Sequence, residues 1–319
     1  MLVTPRSFAR DDEALRERLR GAVRRVEYRQ DGVLDPVSLR RLLEGVDGWI
    51  AGVERIDRGM LDHARRLKVI ARYGVGVDNV DLRAAAEHGI VVTNTPGANA
   101  GAVAELVIGL FLALARAIPY ADRRVRAGEW GRIDGIALEG KVVGLLGLGA
   151  VGREVAWRSL ALGCRVRAYD PVAPEDYARK HRIELASRDE VIGGSDLLSL
   201  HVPVLPQTRG MVDAGFLAAM KPGAFLVNAA RGELVDESAL LEALRSGHLR
   251  GAALDALADE PPAPGLELAR LDNVVITPHM GAHTDSAVKA MGWRAAENCL
   301  AVLRGASAPD LVLANGGAG

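Results

Sequence analysis

Short apolar runs recur through the first hundred residues, with helical patterns between them. Runs at Leu2-Val3, 26–28, Trp49-Ile50, Val69-Ile70 and Val91-Val92 predict strands. The intervening stretches 13–20, 37–43, 57–66 and 82–88 carry apolar residues at helical spacing. Such alternation is the pattern of a parallel sheet with helical crossovers. The loop Thr95-Pro96-Gly97-Ala98-Asn99 interrupts it. Val103, Leu106, Val107, Leu110, Phe111 and Leu114 then predict one long helix. It is polar only at Glu105 and Arg116, so it is expected to be buried between two domains. After Leu138-Glu139-Gly140 the alternation restarts with longer strands, near 141–147, 165–169, 196–202, 224–229, 251–255 and 274–277. Six strands with crossovers predict a doubly wound sheet. A final helical stretch, 285–304, implies that the chain returns to its first domain. The expected fold is α/β: two doubly wound parallel-sheet domains, with 99–284 inserted into a domain made of 1–98 and 285–319.

Composition agrees with that reading. The chain has 319 residues, enough for two domains, and is 49% hydrophobic, which supplies a large core and excludes compositional disorder. A formal net charge of −1 argues against an electrostatic binder of nucleic acid or membrane surfaces. Cys164 and Cys299 are too few for a disulfide framework or thiolate metal site. Pro5, Arg6, Arg10 and Asp11 leave no apolar signal core at the N-terminus. The most apolar stretch, 106–115, falls short of the roughly 20 residues a membrane helix needs. A soluble, cytoplasmic protein with a small-molecule partner and no metal is expected.

The chemistry starts at Gly147-Leu148-Gly149-Ala150-Val151-Gly152, directly after the predicted strand 141–147. Gly147 allows a tight turn, Gly149 lets a pyrophosphate approach the backbone, and Gly152 lets the following helix, expected over 153–162, pack closely. Asp170 ends the next strand, where a carboxylate accepts bonds from adenosine ribose hydroxyls and repels a 2′-phosphate. NAD is therefore favoured over NADP, although Arg165 and Arg167 lie nearby. His201-Val202-Pro203, Asn228-Ala229-Ala230-Arg231-Gly232, Asp255 and His279 each follow a predicted strand. In a doubly wound sheet such strand ends share one crevice. His63, His88, His181 and His248 are expected to face solvent.

These motifs, with 72–81 (Arg72-Tyr73-Gly74-Val75-Gly76-Val77-Asp78-Asn79-Val80-Asp81), Glu260-Pro261 and Pro278-His279-Met280-Gly281-Ala282, resemble the D-isomer-specific 2-hydroxyacid dehydrogenase family over essentially the whole chain. The resemblance implies a Rossmann-like NAD-binding domain inserted into a flavodoxin-like substrate domain. It places the family's catalytic set on Arg231, Glu260 and His279. An arginine fork binds a carboxylate and polarises a carbonyl. A histidine exchanges the substrate proton, and a glutamate fixes its tautomer and raises its pKa. The resemblance assigns the cofactor to Gly147, Gly149, Ala150, Val151, Gly152, Asp170, His201, Val202, Pro203, Thr208, Ala229, Ala230, Arg231, Asp255, His279 and Gly281. It assigns the substrate to Arg72, Tyr73, Gly74, Val75, Gly76, Asn99 and Arg231, and implies a homodimer formed through 100–117 and 120–130. His283, beside His279, is given at most a minor role.

Within the family, 72–81 and 128–171 are most similar to phosphoglycerate dehydrogenases, in a short form lacking their regulatory C-terminal domain. The position of their early phosphate-contacting arginine falls near Ala51-Gly52, where Arg55, Arg72 or Arg132 would have to compensate. A hydroxypyruvate or glyoxylate reductase is the alternative, and a dinucleotide-sensing corepressor is the alternative of another class.

Overall fold

The computed structural model describes residues 1–30, 34–172 and 175–312. The end of the predicted outer domain, 313–319, lies outside the described residues. The chain divides into two compact units, one of Met1–Asn99 with the segment from His283 onward, the other of Ala100–Ala282.

The first unit carries β1 (Leu2–Val3), β2 (Glu27–Tyr28), β3 (Gly48–Ala51), β4 (Val69–Arg72) and β5 (Val91–Thr93) in one parallel sheet of order β2-β1-β3-β4-β5. Its helices are α1 (Glu13–Arg20), α2 (Pro36–Leu43), α3 (Arg58–Leu61), α4 (Leu82–Glu87) and the long helix Asp285–Leu303. Asp12, Asp35, Asp57 and Asp81 cap the first four, each accepting a backbone N–H two or three residues on. The helix expected over 57–66 stops at Leu61, after which bonds from His63 to Met60 and from Ala64 to Leu61 curl the chain into turns. Trp49, fully buried, sits at the centre and donates its indole N–H to the Thr4 hydroxyl at 3.1 Å. Ala295, Ala296, Cys299 and Leu300 pack on Ile50, Val69 and Ala71. Burial pushes the Cys299 thiol up to about 12, which leaves it a packing residue.

In the second unit come α5 (Ala100–Ala115), α6 (Ile118–Arg126), β6 (Val142–Leu146), α7 (Ala150–Ala161), β7 (Arg165–Tyr169), α8 (Glu175–Lys180), β8 (Glu184–Leu185) and α9 (Arg188–Gly194). They are followed by β9 (Leu197–Leu200), α10 (Ala214–Ala219), β10 (Phe225–Asn228), α11 (Glu237–Arg245), β11 (Gly251–Leu254) and β12 (Val274–Ile276). The sheet is parallel, of order β12-β11-β10-β9-β6-β7-β8. Among the described residues seven strands replace the six predicted, because β8 is only two residues long and carries no readable pattern.

Both sheet faces are covered. Val107, Phe111 and Val155 of α5 and α7 pack on Val143, Leu145 and Val227. Val191, Phe216 and Leu240 of α9, α10 and α11 pack on Leu146, Leu198 and Leu226. Central strands buried on both sides read as continuous apolar runs rather than alternating ones. Helix α5 packs on this sheet and keeps an exposed side at Glu105, Gly109 and Leu112. Among the described residues no single helix is long and apolar enough to cross a membrane.

Candidate active site

The strand order reverses between β6 and β9, and there the carboxyl ends of the two strands leave a crevice. Gly147 turns the chain at the end of β6 with a φ of +101°. A Cβ at Gly147 would lie 2.4 Å from the His201 carbonyl oxygen, and one at Gly152 only 2.2 Å from the Gly147 carbonyl oxygen. At Gly149, by contrast, a Cβ would meet nothing within 4 Å, so space stands open over the backbone. Helix α7 begins at Ala150, three residues earlier than expected, which puts Gly152 in its first turn and makes Gly149 the cap. Gly149 supplies no side-chain cap bond, so the first N–H groups remain available to an anion.

Asp170 faces this turn from the end of β7. Its carboxylate accepts the Leu148 N–H at 2.8 Å and the Val172 N–H at 2.9 Å, which fixes its direction. Arg165 begins the same strand, five residues before Asp170 and so about 16 Å away at 3.3 Å per residue. Arg167 pairs with Glu184 at 2.8 Å. These two arginines are therefore held away from the ribose end of the turn. The fit to a dinucleotide is specific: a glycine turn with room above it, an uncapped helix and an oriented acid.

His201 follows β9, and burial pushes its imidazole down to about 4, so it is neutral. Its Nε2 is buried with no partner among the described residues. Val202 is half-buried and Pro203 exposed. The Thr208 hydroxyl donates to the Pro203 carbonyl at 2.7 Å and accepts the Leu205 N–H at 2.7 Å, so it shapes the loop after His201.

The same sheet edge carries the ionisable set. Asn228, fully buried, donates to the Arg231 carbonyl at 2.7 Å and accepts the Ala230 N–H at 3.1 Å, which folds Ala229-Ala230-Arg231 into a turn. A Cβ at Gly232 would lie 1.9 Å from the Leu257 carbonyl carbon, so this turn presses against the loop that carries Glu260. Glu260 accepts the Leu257 N–H at 3.0 Å with one oxygen and meets His279 Nδ1 at 2.7 Å with the other.

The Glu260 hydrogen bond raises the His279 pKa above the usual value. Burial and the Arg231 charge oppose it, while the charges of Glu260 and Asp255 add to it. For Glu260, burial acts upward, but His279, the Leu257 N–H and Arg231 together hold the carboxyl below its usual range. His279 presents 42% of its side chain to solvent, with Nδ1 engaged by Glu260. Asp255, only 2% exposed, accepts the Thr277 hydroxyl at 2.6 Å and the N–H groups of Met280 and Gly281 at 2.9 Å each.

The first unit presents its own loop after β4. The carbonyl of Gly74 accepts the Thr95 N–H, that of Val75 the Asn94 side chain, and that of Gly76 the Arg72 Nε. All three carbonyls are held back, while the N–H groups of Gly74, Val75 and Gly76 have no acceptor among the described residues. Arg72 also donates to the Ala51 carbonyl at 3.0 Å and so builds the loop. The Tyr73 ring stands edge-on to Phe8, and its hydroxyl donates to the Val288 carbonyl. Its half-buried side chain thus packs against the core of the first unit. Asn99 is half-buried at the end of this unit. His63, His88 and His283 are exposed, but His181 stacks on Tyr177 and His248 meets the Met220 carbonyl, so these two are half-buried rather than facing solvent. Thr277 was not singled out in the sequence. Its place directly after β12 is the signal that could have found it.

This order of strands, with a glycine turn and an acid at its reversal and an Arg–Glu–His group along the same edge, is the arrangement of a dinucleotide-binding α/β protein. Residues 108–281 match the profile of the NAD binding domain of D-isomer specific 2-hydroxyacid dehydrogenases. The chain belongs to that family. It is 46% identical over 261 residues to a D-3-phosphoglycerate dehydrogenase of Methanocaldococcus jannaschii, covering 81% of this chain and 50% of that protein. The chain therefore spans about half the length of the curated relatives it matches. A protein of Thermus thermophilus superposes with a TM-score of 0.87 at 40% identity, over 98% of this chain and 99% of that one. A D-lactate dehydrogenase of Aquifex aeolicus, complexed with NAD and lactic acid, gives 0.84 at 28% identity over 95% of both chains.

Proposed function

We propose that the protein is an NAD-dependent oxidoreductase that moves a hydride between NAD(H) and a small D-2-hydroxy acid or its 2-keto acid. The observation that carries this reading is the 2.7 Å Glu260–His279 pair, tuned also by Arg231 and set on the same sheet edge as the glycine turn. Bound NAD would supply the hydride acceptor. Gly147 to Gly152 would cradle its phosphates, Asp170 its ribose, and the strand-end loops at His201 and Ala229 the rest. His279 takes the hydroxyl proton in oxidation and returns it in reduction. Glu260 fixes the imidazole and stabilises its charged form. Arg231 polarises the substrate carbonyl. The N–H groups of Gly74, Val75 and Gly76 suit a substrate carboxylate.

The names of the relatives support D-3-phosphoglycerate as the substrate. One observation favours a second reading, a hydroxypyruvate or glyoxylate reductase. β3 ends at Ala51 and Gly52 follows it, and the Glu54 carboxylate lies 3.1 Å from where a Gly52 Cβ would be, an acid where a phosphate needs a cation. A homodimer in the cytoplasm completes the proposal, and the exposed Ile118, Val125 and Trp130 suit a subunit contact.

The test is turnover of D-3-phosphoglycerate, D-glycerate, glycolate and D-lactate, and of hydroxypyruvate and glyoxylate in reverse, with NAD(H) and with NADP(H). Activity with NAD is expected on at least one acid. His279→Ala should lower kcat by about 100-fold or more while NADH affinity changes little. Equal loss of both would remove His279 as the acid/base. No turnover of any acid would favour a dinucleotide-sensing corepressor.

A further inference from the structure

We propose that Thr277 and Asp255 form a clamp that fixes the backbone beneath His279, which makes Thr277 a positioning residue for the proton-transfer group. The inference rests on the reading of His279 as the acid/base. It starts from an unfavourable backbone. His279 has a φ of +49°, in the left-handed region that a residue with a Cβ enters at a cost, and something must hold it there.

The surroundings supply the restraint. The Thr277 N–H makes the last bond to the sheet, to the Leu254 carbonyl at 3.0 Å, and the chain then leaves β12. Asp255 stands at the end of the neighbouring strand, its own N–H bonded to the Asn228 carbonyl at 2.9 Å. Its buried carboxylate receives donors from both sides of His279. The Thr277 hydroxyl and the Met280 N–H converge on Oδ1, and the Gly281 N–H meets Oδ2. The loop is thus pinned two residues before the histidine and one and two residues after it. Gly281 is pressed closely against this carboxylate, since a Cβ there would lie 3.1 Å from Oδ2.

Two of the three donors are backbone groups. The third, the Thr277 hydroxyl, is the one that a side-chain change can remove. Its bond is also the shortest of the three, as expected for a hydroxyl donating to a carboxylate. Without it, the segment before His279 is released from Asp255 and the imidazole loses its fixed direction toward Glu260. The charged groups that set the His279 titration are Glu260, Arg231 and Asp255. Because the Glu260 bond is the largest raising influence, a loosened loop moves the titration midpoint downward, toward the usual histidine value.

The experiment compares Thr277→Val, Thr277→Ala and Thr277→Ser in the full chain. The His279 midpoint is read by NMR without cofactor, kcat on the best acid by NADH absorbance, and NADH affinity by fluorescence. Valine and alanine should each lower the midpoint and reduce kcat tenfold or more, with NADH affinity within threefold. Serine keeps the hydroxyl and should restore midpoint and kcat to within threefold of the parent. Using two hydroxyl-free variants guards against one that does not fold. An unchanged midpoint in the folded hydroxyl-free variants, or equal effects of valine and serine, would overturn the clamp. If the midpoint moves as expected but no acid is turned over by the parent, the clamp stands and the enzymatic reading fails.

Discussion

At the scale of single residues, the site is governed by which charges are neutralised and which are left neutral. Glu260 and His279 shift in opposite directions, and each stabilises the charged form of the other. The raised His279 holds its proton to a higher pH than an ordinary histidine. Reduction, which needs the protonated imidazole, should persist above about pH 6.5, and oxidation should rise only as the pH passes the raised midpoint. The same sign applies to stability. The contribution of the charged pair is lost as pH rises through the His279 midpoint, and lost at the acid end as Glu260 is protonated. Glu260→Gln removes the main raising influence, so the midpoint of the pH–rate profile should move down, with lower kcat in both directions. An unmoved midpoint would show that Glu260 does not set the titration. Arg231 and His279 stood out in the sequence as polar residues directly after predicted strands, whereas Glu260 came only from the family resemblance. The bond between Glu260 and His279 was expected from the family resemblance alone, because it joins residues 19 apart through a loop whose path no local pattern fixes. Tyr73 makes a second contact that no local pattern foretold, its ring meeting Phe8 and its hydroxyl the Val288 carbonyl.

At the scale of elements, the glycine turn and α7 act as one unit. The sequence placed the turn correctly but started the helix three residues late, because Ala150-Val151-Gly152 carries no cap residue and a glycine lowers helix propensity. Packing overrides propensity here. Gly152 sits in the helix because only a residue without a Cβ fits against the Gly147 carbonyl. Gly152→Ala should therefore destabilise the fold by about 1–3 kcal/mol through overpacking and weaken NADH binding by distorting the turn. Urea unfolding and fluorescence titration check both, and a variant with parental stability and affinity would contradict the close approach. The capped helices of the first unit were easier to place. α1 matches its expected span, because Asp12 caps it and Leu15 and Leu19 mark its buried face. β8 was missed since two residues have no period to read.

At the scale of the whole molecule, both units are parallel sheets wound with helices, and in each the candidate groups gather beyond the carboxyl ends of the strands. The second unit also leaves Leu112, Ile118, Val125 and Trp130 exposed, the last at 92%, which is unusual for large apolar side chains in one region. If this region forms the proposed homodimer, the protein should sediment at twice its 33.9 kDa chain mass. Val125→Glu combined with Trp130→Glu should shift it to the monomer without unfolding it. A parent that sediments as a monomer would remove the dimer from the proposal. The alternation of strands and helices, the parallel sheets and the glycine turn with its acid were readable from the chain alone, as were the residue types proposed to carry the chemistry. They follow from periodicity and from the few side chains suited to each task. Three things came only with the folded molecule: where α7 begins, which motif residues turn inward, and that Asp255 and Thr277 hold the backbone of His279. Those facts depend on which strand ends become neighbours and how closely their loops pack, and both are settled by contacts between residues far apart in the chain.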